Sequence, residues 1–263
     1  ADLVAVDRAV PGRAAVHQLV AQRIDAAQHH AEHGDGVVPG ERAVRRLGAK
    51  KISTTQVPVL FEAPVAASLL GHLVSAVSGG SLYRKSSFLL DSLGKEIFAP
   101  WVKITEDPHI RGALASSPFD EEGVATRRRE LVAGGVLNGY FLGSYSARKL
   151  GMQTTGNAGG CHNLILADTG EDFAALLKKT GRGLLVTELM GQGINMVTGD
   201  YSRGAAGFWI ENGEIAYPVH EITIAGNLKD IFRGIVAAGS DVLKRGSKHC
   251  GSILIDRMTI AGD

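Results

Sequence analysis

The stretch GFWIENGEIAYPVHEITIAG (residues 207–226) decides the fold class. It places Asn-Gly at 212–213 between two runs in which apolar and polar residues alternate. Alternation is typical of half-buried strands, and Asn-Gly favours the tight turn that joins two antiparallel strands. The stretch therefore predicts an antiparallel hairpin. We expect a helix from about Leu228 to Ala238 to follow it, with Asn227 as its N-cap.

A similar order occurs earlier in the chain, in RRRELVAGGVLNGYFLGS (residues 127–144). This segment predicts two strands around Gly134-Gly135, followed by a short helix in SYSARKLG (residues 144–151). Both segments have the order strand, glycine-containing turn, strand, helix. The similarity suggests an internal duplication of a hairpin–helix unit.

Between residues 41 and 80 the sequence predicts a short basic helix, a strand and a second helix. The basic helix is ERAVRRLGA (residues 41–49), and the strand is QVPVLFE (residues 56–62). The second helix covers Ala66 to Val77 and ends at Gly79-Gly80. Together these elements predict an α+β fold, in which antiparallel β-sheets are packed with helices.

Residues 1–40 differ from the rest in composition, and we predict a helical or irregular segment there, followed by one domain over residues 41–263. A helix is expected over about residues 12–33 and is interrupted by HGDGVVPG. His29, His30 and His33 have a spacing that could bind a metal on one helix face. A solvated helix end is the favoured interpretation of these histidines.

Charge and cysteine content exclude several classes of protein. The net charge of +1 gives no overall field that would attract nucleic acid or an anionic membrane. Arg127–Arg129 have no aromatic platform beside them, and we interpret them as part of a solvated or interfacial strand. Two cysteines suit a reducing compartment. With no apolar run of membrane length and no signal pattern, the sequence predicts a cytoplasmic protein.

The segment LFEAPVAASLLGHLVSAVSG (residues 60–79) contains one histidine, His72, on a helix of apolar and small residues. A zinc peptidase needs two ligands on a helix, an adjacent glutamate as general base and a third ligand from elsewhere. No glutamate lies next to His72, and the segment has no second histidine. From these residues alone His72 is predicted to be a packing or capping histidine.

Several long motifs resemble the PmbA/TldE family of the TldD/PmbA metallopeptidase superfamily, a family also called modulator of DNA gyrase. They are HLVSAVSGGSLYRKSSFLLDSLGK, ASSPFDEEGV, SYSARKLG, TELMGQGINMVTGDYSRGAAGFWIENGEI and EITIAGNLKDI. Residues 41–263 resemble the C-terminal region of that family nearly throughout, whereas residues 1–40 do not. The resemblance implies an α+β fold and a subunit of a cytoplasmic zinc peptidase that cleaves unfolded peptides.

The resemblance also implies which subunit this is. The sister family TldD has H-E-x-x-x-H on a helix and a distant cysteine ligand. In this sequence Gly71, His72 and Ala76 take the places of the first histidine, the glutamate and the second histidine, and Cys250-Gly251 resembles the Cys-Gly ligand. Two ligands five residues apart diverge by about 140° on a regular helix, so they need a local π-bulge to meet at one metal.

The implied role is therefore a non-catalytic partner without zinc of its own, in a complex with a TldD-type subunit that holds the zinc. The chain could also form homodimers when isolated. Two alternatives remain open. One is an adaptor that binds peptides or proteins, and the other is an enzyme with unconventional ligands, drawn from His72, His162, His220 and Cys250.

A peptidase that accepts varied unfolded peptides can recognise them through backbone hydrogen bonds at an exposed strand edge. We predict that peptide binds at Gly204, Ala205, Ala206, Gly207 and Phe208, because the small side chains of residues 204–207 let another backbone approach. The alternative is a tightly packed core strand, because glycine within a strand often marks a bulge.

Overall fold

The structure is a computed structural model that describes residue 40 and residues 43–262. The chain divides into one unit that ends at Gly48 and another that begins at Ala49. In the first unit, residues 43–45 are helical, within the predicted basic helix. The predicted helix over residues 12–33 and the three histidines His29, His30 and His33 lie outside the described residues.

The second unit mixes short helices with longer strands. None of the helices in the described residues is long and apolar enough to cross a membrane. The helices are α1 (Ala63–Ala76), α2 (Gly79–Tyr83), α3 (Ser144–Lys149), α4 (Phe173–Thr180) and α5 (Leu228–Arg233). The strands are β1 (Thr55–Phe61), β2 (Ile104–Glu106), β3 (Arg129–Ala133), β4 (Val136–Leu137), β5 (Leu164–Leu166), β6 (Gly183–Met190), β7 (Asp200–Glu211), β8 (Glu214–Asn227), β9 (Ile235–Ala238), β10 (Leu243–Arg245), β11 (Lys248–Cys250) and β12 (Ile253–Ala261).

The first sheet is built on the hairpin that the sequence predicts. β7 and β8 pair from Asp200↔Asn227 to Glu211↔Glu214, and both turn residues, Asn212 and Gly213, have positive φ. Positive φ at both positions is the requirement of the type I′ turn, which Asn-Gly meets at low cost. The strand order is β1-β6-β7-β8-β12-β9, and β12 also pairs with β1. The ladders from β1 through β6, β7, β8 and β12 therefore close into a ring.

The second sheet has the order β10-β11-β5-β2-β3-β4. Its ladders are antiparallel except for the parallel pairing of β11 with β5. The β3–β4 hairpin turns at Gly134-Gly135, as predicted, and both residues have positive φ. The prediction of an α+β fold is confirmed. The two hairpins lie in different sheets and differ in length, and the internal duplication stays a prediction.

The boundaries of two helices differ from the prediction. Helix α1 begins at Ala63 because Pro64 is tolerated in a first turn, where its missing N–H would have no partner. Gly79-Gly80 does not end that helix but begins α2, which is capped by the Ser78 side chain. The predicted helix from Leu228 to Ala238 ends at Arg233, because Ile235–Ala238 pair with β12 as β9. Its N-cap Asn227 accepts a hydrogen bond from the Lys229 N–H, as predicted.

A buried ion pair joins the strands of the second sheet. The Arg129 Nε donates to the Glu106 carboxylate at 2.7 Å, and the Glu106 side chain is 2% exposed. Asn157 accepts from Arg129 at 2.9 Å and donates to the other Glu106 oxygen at 2.7 Å. Arg129 also donates to the Tyr140 carbonyl. The interpretation of Arg127–Arg129 as solvated or interfacial is therefore wrong for Arg129, because strand alternation turns this side chain inward.

We expect Arg129→Met to lower the free energy of unfolding by roughly 3 kcal/mol, since removal of one partner leaves the Glu106 carboxylate buried without its counter-charge. The matched control is Arg128→Met. Arg128 pairs with Asp107 at 3.2 Å, but its side chain is 65% exposed. The Arg128→Met substitution should lower the free energy of unfolding by less than about 1 kcal/mol. Urea unfolding measures both variants, and equal losses would contradict this account of the network.

Candidate functional site

Helix α1, which bears His72, is anchored at its first residue. The Ala63 N–H donates to the Ser252 Oγ at 3.0 Å, and this hydroxyl donates to the Asp241 carboxylate at 2.7 Å. The Ser252 N–H donates to the other Asp241 oxygen at 2.8 Å. Along its length, the helix contacts β6 of the first sheet and β11 of the second. The two sheets and this anchor together set the orientation of the helix.

His72 packs edge to face against Tyr201 of β7, with 5.9 Å between the ring centroids. The His72 Nε2 and the Tyr201 hydroxyl are both buried, and neither has a hydrogen-bond partner in the described part of the chain. Burial, together with the positive charge of Arg203, lowers the pKa of His72 to about 4. Burial raises the pKa of Tyr201 to about 12, although Arg203 opposes this shift. Both rings are therefore uncharged at neutral pH.

Cys250, at the end of β11, is buried. Burial raises the pKa of its thiol to about 12, and the negative charge of Asp241 acts in the same direction. The thiolate is the form that binds metals, so a metal at Cys250 would have to displace this proton.

Gly71 and Ala76 lie on different sides of helix α1. The helix is a regular α-helix from Ala63 to Ala76, without a π-bulge. Five residues therefore rotate the side-chain direction by about 140°. Ala76 is fully buried, whereas Gly71 is partly exposed and faces the Lys248 side chain. A Cβ added at Gly71 would lie 3.7 Å from the Lys248 Cε. Side chains at these two positions could not meet at one point.

These residues do not fit a catalytic zinc ion, which takes three protein ligands and keeps one open position. The positions implied by the resemblance offer one neutral imidazole and one protonated thiol. Two cationic side chains, those of Arg203 and Lys248, lie near His72 and Gly71. Among the described residues, no group of three or more His, Cys, Asp and Glu side chains could hold a metal ion.

The other histidines of the unconventional set occupy separate places. Both ring nitrogens of His162 face carbonyl oxygens, of Ala115 at 3.3 Å and of Gly156 at 3.2 Å. His220 is on β8, and its side chain is 44% exposed. Within the described ranges the structure does not gather these residues with His72 and Cys250 into a metal-binding group.

The predicted peptide-binding residues lie in an interior strand. Gly204, Ala205, Gly207 and Phe208 of β7 each pair with β6 on one side and β8 on the other. Ala206 pairs with β6 and lies at an irregularity facing β8. The expectation of an open strand edge here is wrong, because the ring of strands uses both edges of β7. Peptide contact by this segment stays a prediction, but strand addition would need another edge.

Sequence reasoning missed the side chains that surround His72. Tyr201, Arg203 and Lys248 are distant from it along the chain, and only the packing of β7 and β11 around helix α1 brings them close. No local signal could have identified them, although Tyr201 and Arg203 lie just before the residues predicted to bind peptide.

Comparison with known protein families identifies relatives of this chain. Residues 54–262 match the model of the PmbA/TldA metallopeptidase C-terminal domain. The chain is 59% identical over 212 residues to Metalloprotease PmbA of Escherichia coli O157:H7, and the match covers 81% of this chain and 47% of that protein. The chain therefore spans about half the length of this curated relative.

Two crystal structures share the fold. One is of a Bacteroides thetaiotaomicron protein described as a candidate modulator of DNA gyrase, with 34% identity and a TM-score of 0.81, covering 85% of this chain and 51% of that one. The other is TldE from Thermococcus kodakarensis, with 25% identity and a TM-score of 0.75, covering 85% and 55%.

The lowered pKa of His72 predicts a pH-dependent stability. The unfolded chain binds a proton at this ring near the ordinary pKa of 6.5, and the folded chain only near 4. Stability is therefore complete above about pH 6.5 and falls as the pH drops toward 4. Between about pH 8 and pH 5 the loss from this group should approach about 2 kcal/mol.

The measurement is urea unfolding of the wild type and His72→Leu at both pH values. At pH 8, the difference in the free energy of unfolding between the two proteins reports the packing of the His72 ring. The change in that difference from pH 8 to pH 5 reports protonation of the ring. His72→Leu should lose about 2 kcal/mol less than the wild type on acidification. Parallel losses in the two proteins would show that His72 titrates normally in the folded state.

Proposed function

Because the chain belongs to the PmbA/TldD metallopeptidase family through its C-terminal domain, we propose that it is part of the non-catalytic subunit of a two-subunit zinc peptidase. A TldD-type partner supplies the zinc and the general base. This chain completes the chamber in which unfolded peptides are cleaved in the cytoplasm. When isolated, it forms homodimers through the surface that meets the partner.

The observation that carries this proposal is the geometry of helix α1. Its regular turn separates Gly71 from Ala76, and neither residue has a ligand atom in its side chain. The nearest donors are the His72 imidazole and the Cys250 thiol, which are fewer than the three protein ligands of a catalytic zinc ion. A subunit of this kind acts on catalysis through substrate binding and through the arrangement of its partner, because it contributes no metal ligand.

The proposal predicts that peptide cleavage needs both subunits but no donor atom of this one. The test uses the full-length protein with a TldD-type subunit and an unstructured labelled peptide. The mixture should cleave, whereas the protein alone should not. His72→Gln and Cys250→Ala should leave the rate of the mixture within about twofold, since neither residue contacts the reacting atoms.

The other outcomes identify the alternatives. Cleavage by this protein alone, lost in either variant, would establish an enzyme with unconventional ligands. Peptide binding without any effect on cleavage by the partner would establish an adaptor. Thermal unfolding of each variant controls for damage to the fold, because His72 packs against Tyr201.

A further inference from the structure

A groove of about 830 Å³ lies on one face of the second sheet, beneath the loop that contains residues 110–114. His249 and Ile165, which pair across β11 and β5, line it. Side chains alternate along a strand, so His249 faces away from the side on which Lys248 meets Gly71 of helix α1. The groove is therefore on the opposite face of the sheet from the position that corresponds to the metal site.

Within the described part of the chain, a free strand edge borders this groove. Among the described strands, β10 stands at the end of the sheet order and pairs only with β11, through Leu243↔Cys250, Lys244↔His249 and Arg245↔Lys248. Residues on and beside β10 line the groove, among them Val242, Lys244 and Gly246. An edge strand offers unpaired backbone N–H and C=O groups to another extended chain.

The lining combines apolar side chains with a cationic rim. Ile110, Ile165 and Val242 are apolar, and Leu114 is 84% exposed at the roof. Leu114 adds apolar surface to this lining. Arg111 and Lys244 are both exposed on the rim, against one carboxylate, that of Asp168. The excess of positive charge favours a ligand with acidic groups.

His249 adds a hydrogen-bond acceptor. Its Nε2 lies 3.2 Å from the Gly246 carbonyl, and because a carbonyl only accepts, Nε2 carries the hydrogen. In the neutral ring Nδ1 is then an acceptor, and it has no partner within residues 43–262. A side-chain donor that enters the groove can satisfy it.

We propose that this groove binds an extended, unfolded peptide segment as an added strand on β10, with an apolar side chain beneath the loop and an acidic side chain at Arg111 and Lys244. Backbone pairing gives affinity for many sequences, and the pockets select alternate side chains. The inference rests on the proposed function only in taking an unfolded peptide as ligand. The site is a holding site, because it lies on the sheet face opposite helix α1.

The test measures binding of a fluorescent, unstructured peptide of about ten residues, rich in Leu and Glu, to the full-length protein by anisotropy. Ala113→Trp fills the groove and should weaken binding at least about tenfold. The matched control is Ala216→Trp, the same substitution at an exposed position of β8 that is not part of the groove. This control should bind within about twofold of the wild type.

Two further arms separate strand addition from other contacts. Lys244→Glu, a change at an exposed side chain, should weaken binding of the Glu-rich peptide about fivefold. It should weaken binding of a Lys-rich version less. A peptide N-methylated at alternate residues should lose most of its affinity for the wild type, because it cannot donate to β10. Undiminished binding by Ala113→Trp, or by the N-methylated peptide, would overturn the inference.

These results are independent of cleavage. If the two-subunit mixture fails to cleave while the groove variants bind peptide more weakly, the proposed function is contradicted and the groove is supported. If the mixture cleaves and Ala113→Trp binds peptide as the wild type does, the groove is contradicted and the proposed function is supported.

Discussion

Helix α1 is held in one orientation, and this constraint keeps the side-chain positions 71 and 76 apart. Its first N–H is bound by Ser252, which Asp241 holds in turn. Its length packs against a strand of each sheet. A helix so fixed cannot unwind locally to bring positions five residues apart to one point without disturbing its packing. The separation of Gly71 from Ala76 therefore follows from the regular helix that the core holds in place.

The sequence predicts those parts of the fold that depend on neighbouring residues. Asn212-Gly213 specifies its own turn, and the hairpin of β7 and β8 follows. The closure of the first sheet depends instead on β12 pairing with β1, between segments about two hundred residues apart. Local patterns carry no information about such pairing. For the same reason the sequence pattern leaves open whether β7 is an edge or an interior strand, and it does not show that Arg129 points inward.

At the site, the resemblance to a known family located Gly71, His72, Ala76 and Cys250, but their chemistry depends on surroundings that only packing supplies. Tyr201 and Arg203 come from β7, and Lys248 from β11. Burial turns His72 into a neutral ring, and burial with Asp241 keeps the Cys250 thiol protonated. The two faces of β11 contact different features. One face meets helix α1, and the other, through His249, lines the groove beside β10.

We propose that the metal of the assembly lies outside this chain. The most direct measurement is anomalous diffraction at the zinc edge from crystals of the full-length protein with its TldD-type partner, grown with zinc in excess. The account predicts a strong anomalous peak at the partner's helix and none beside helix α1. A peak within about 2.3 Å of the Cys250 Sγ, the length of a zinc–thiolate bond, would contradict it.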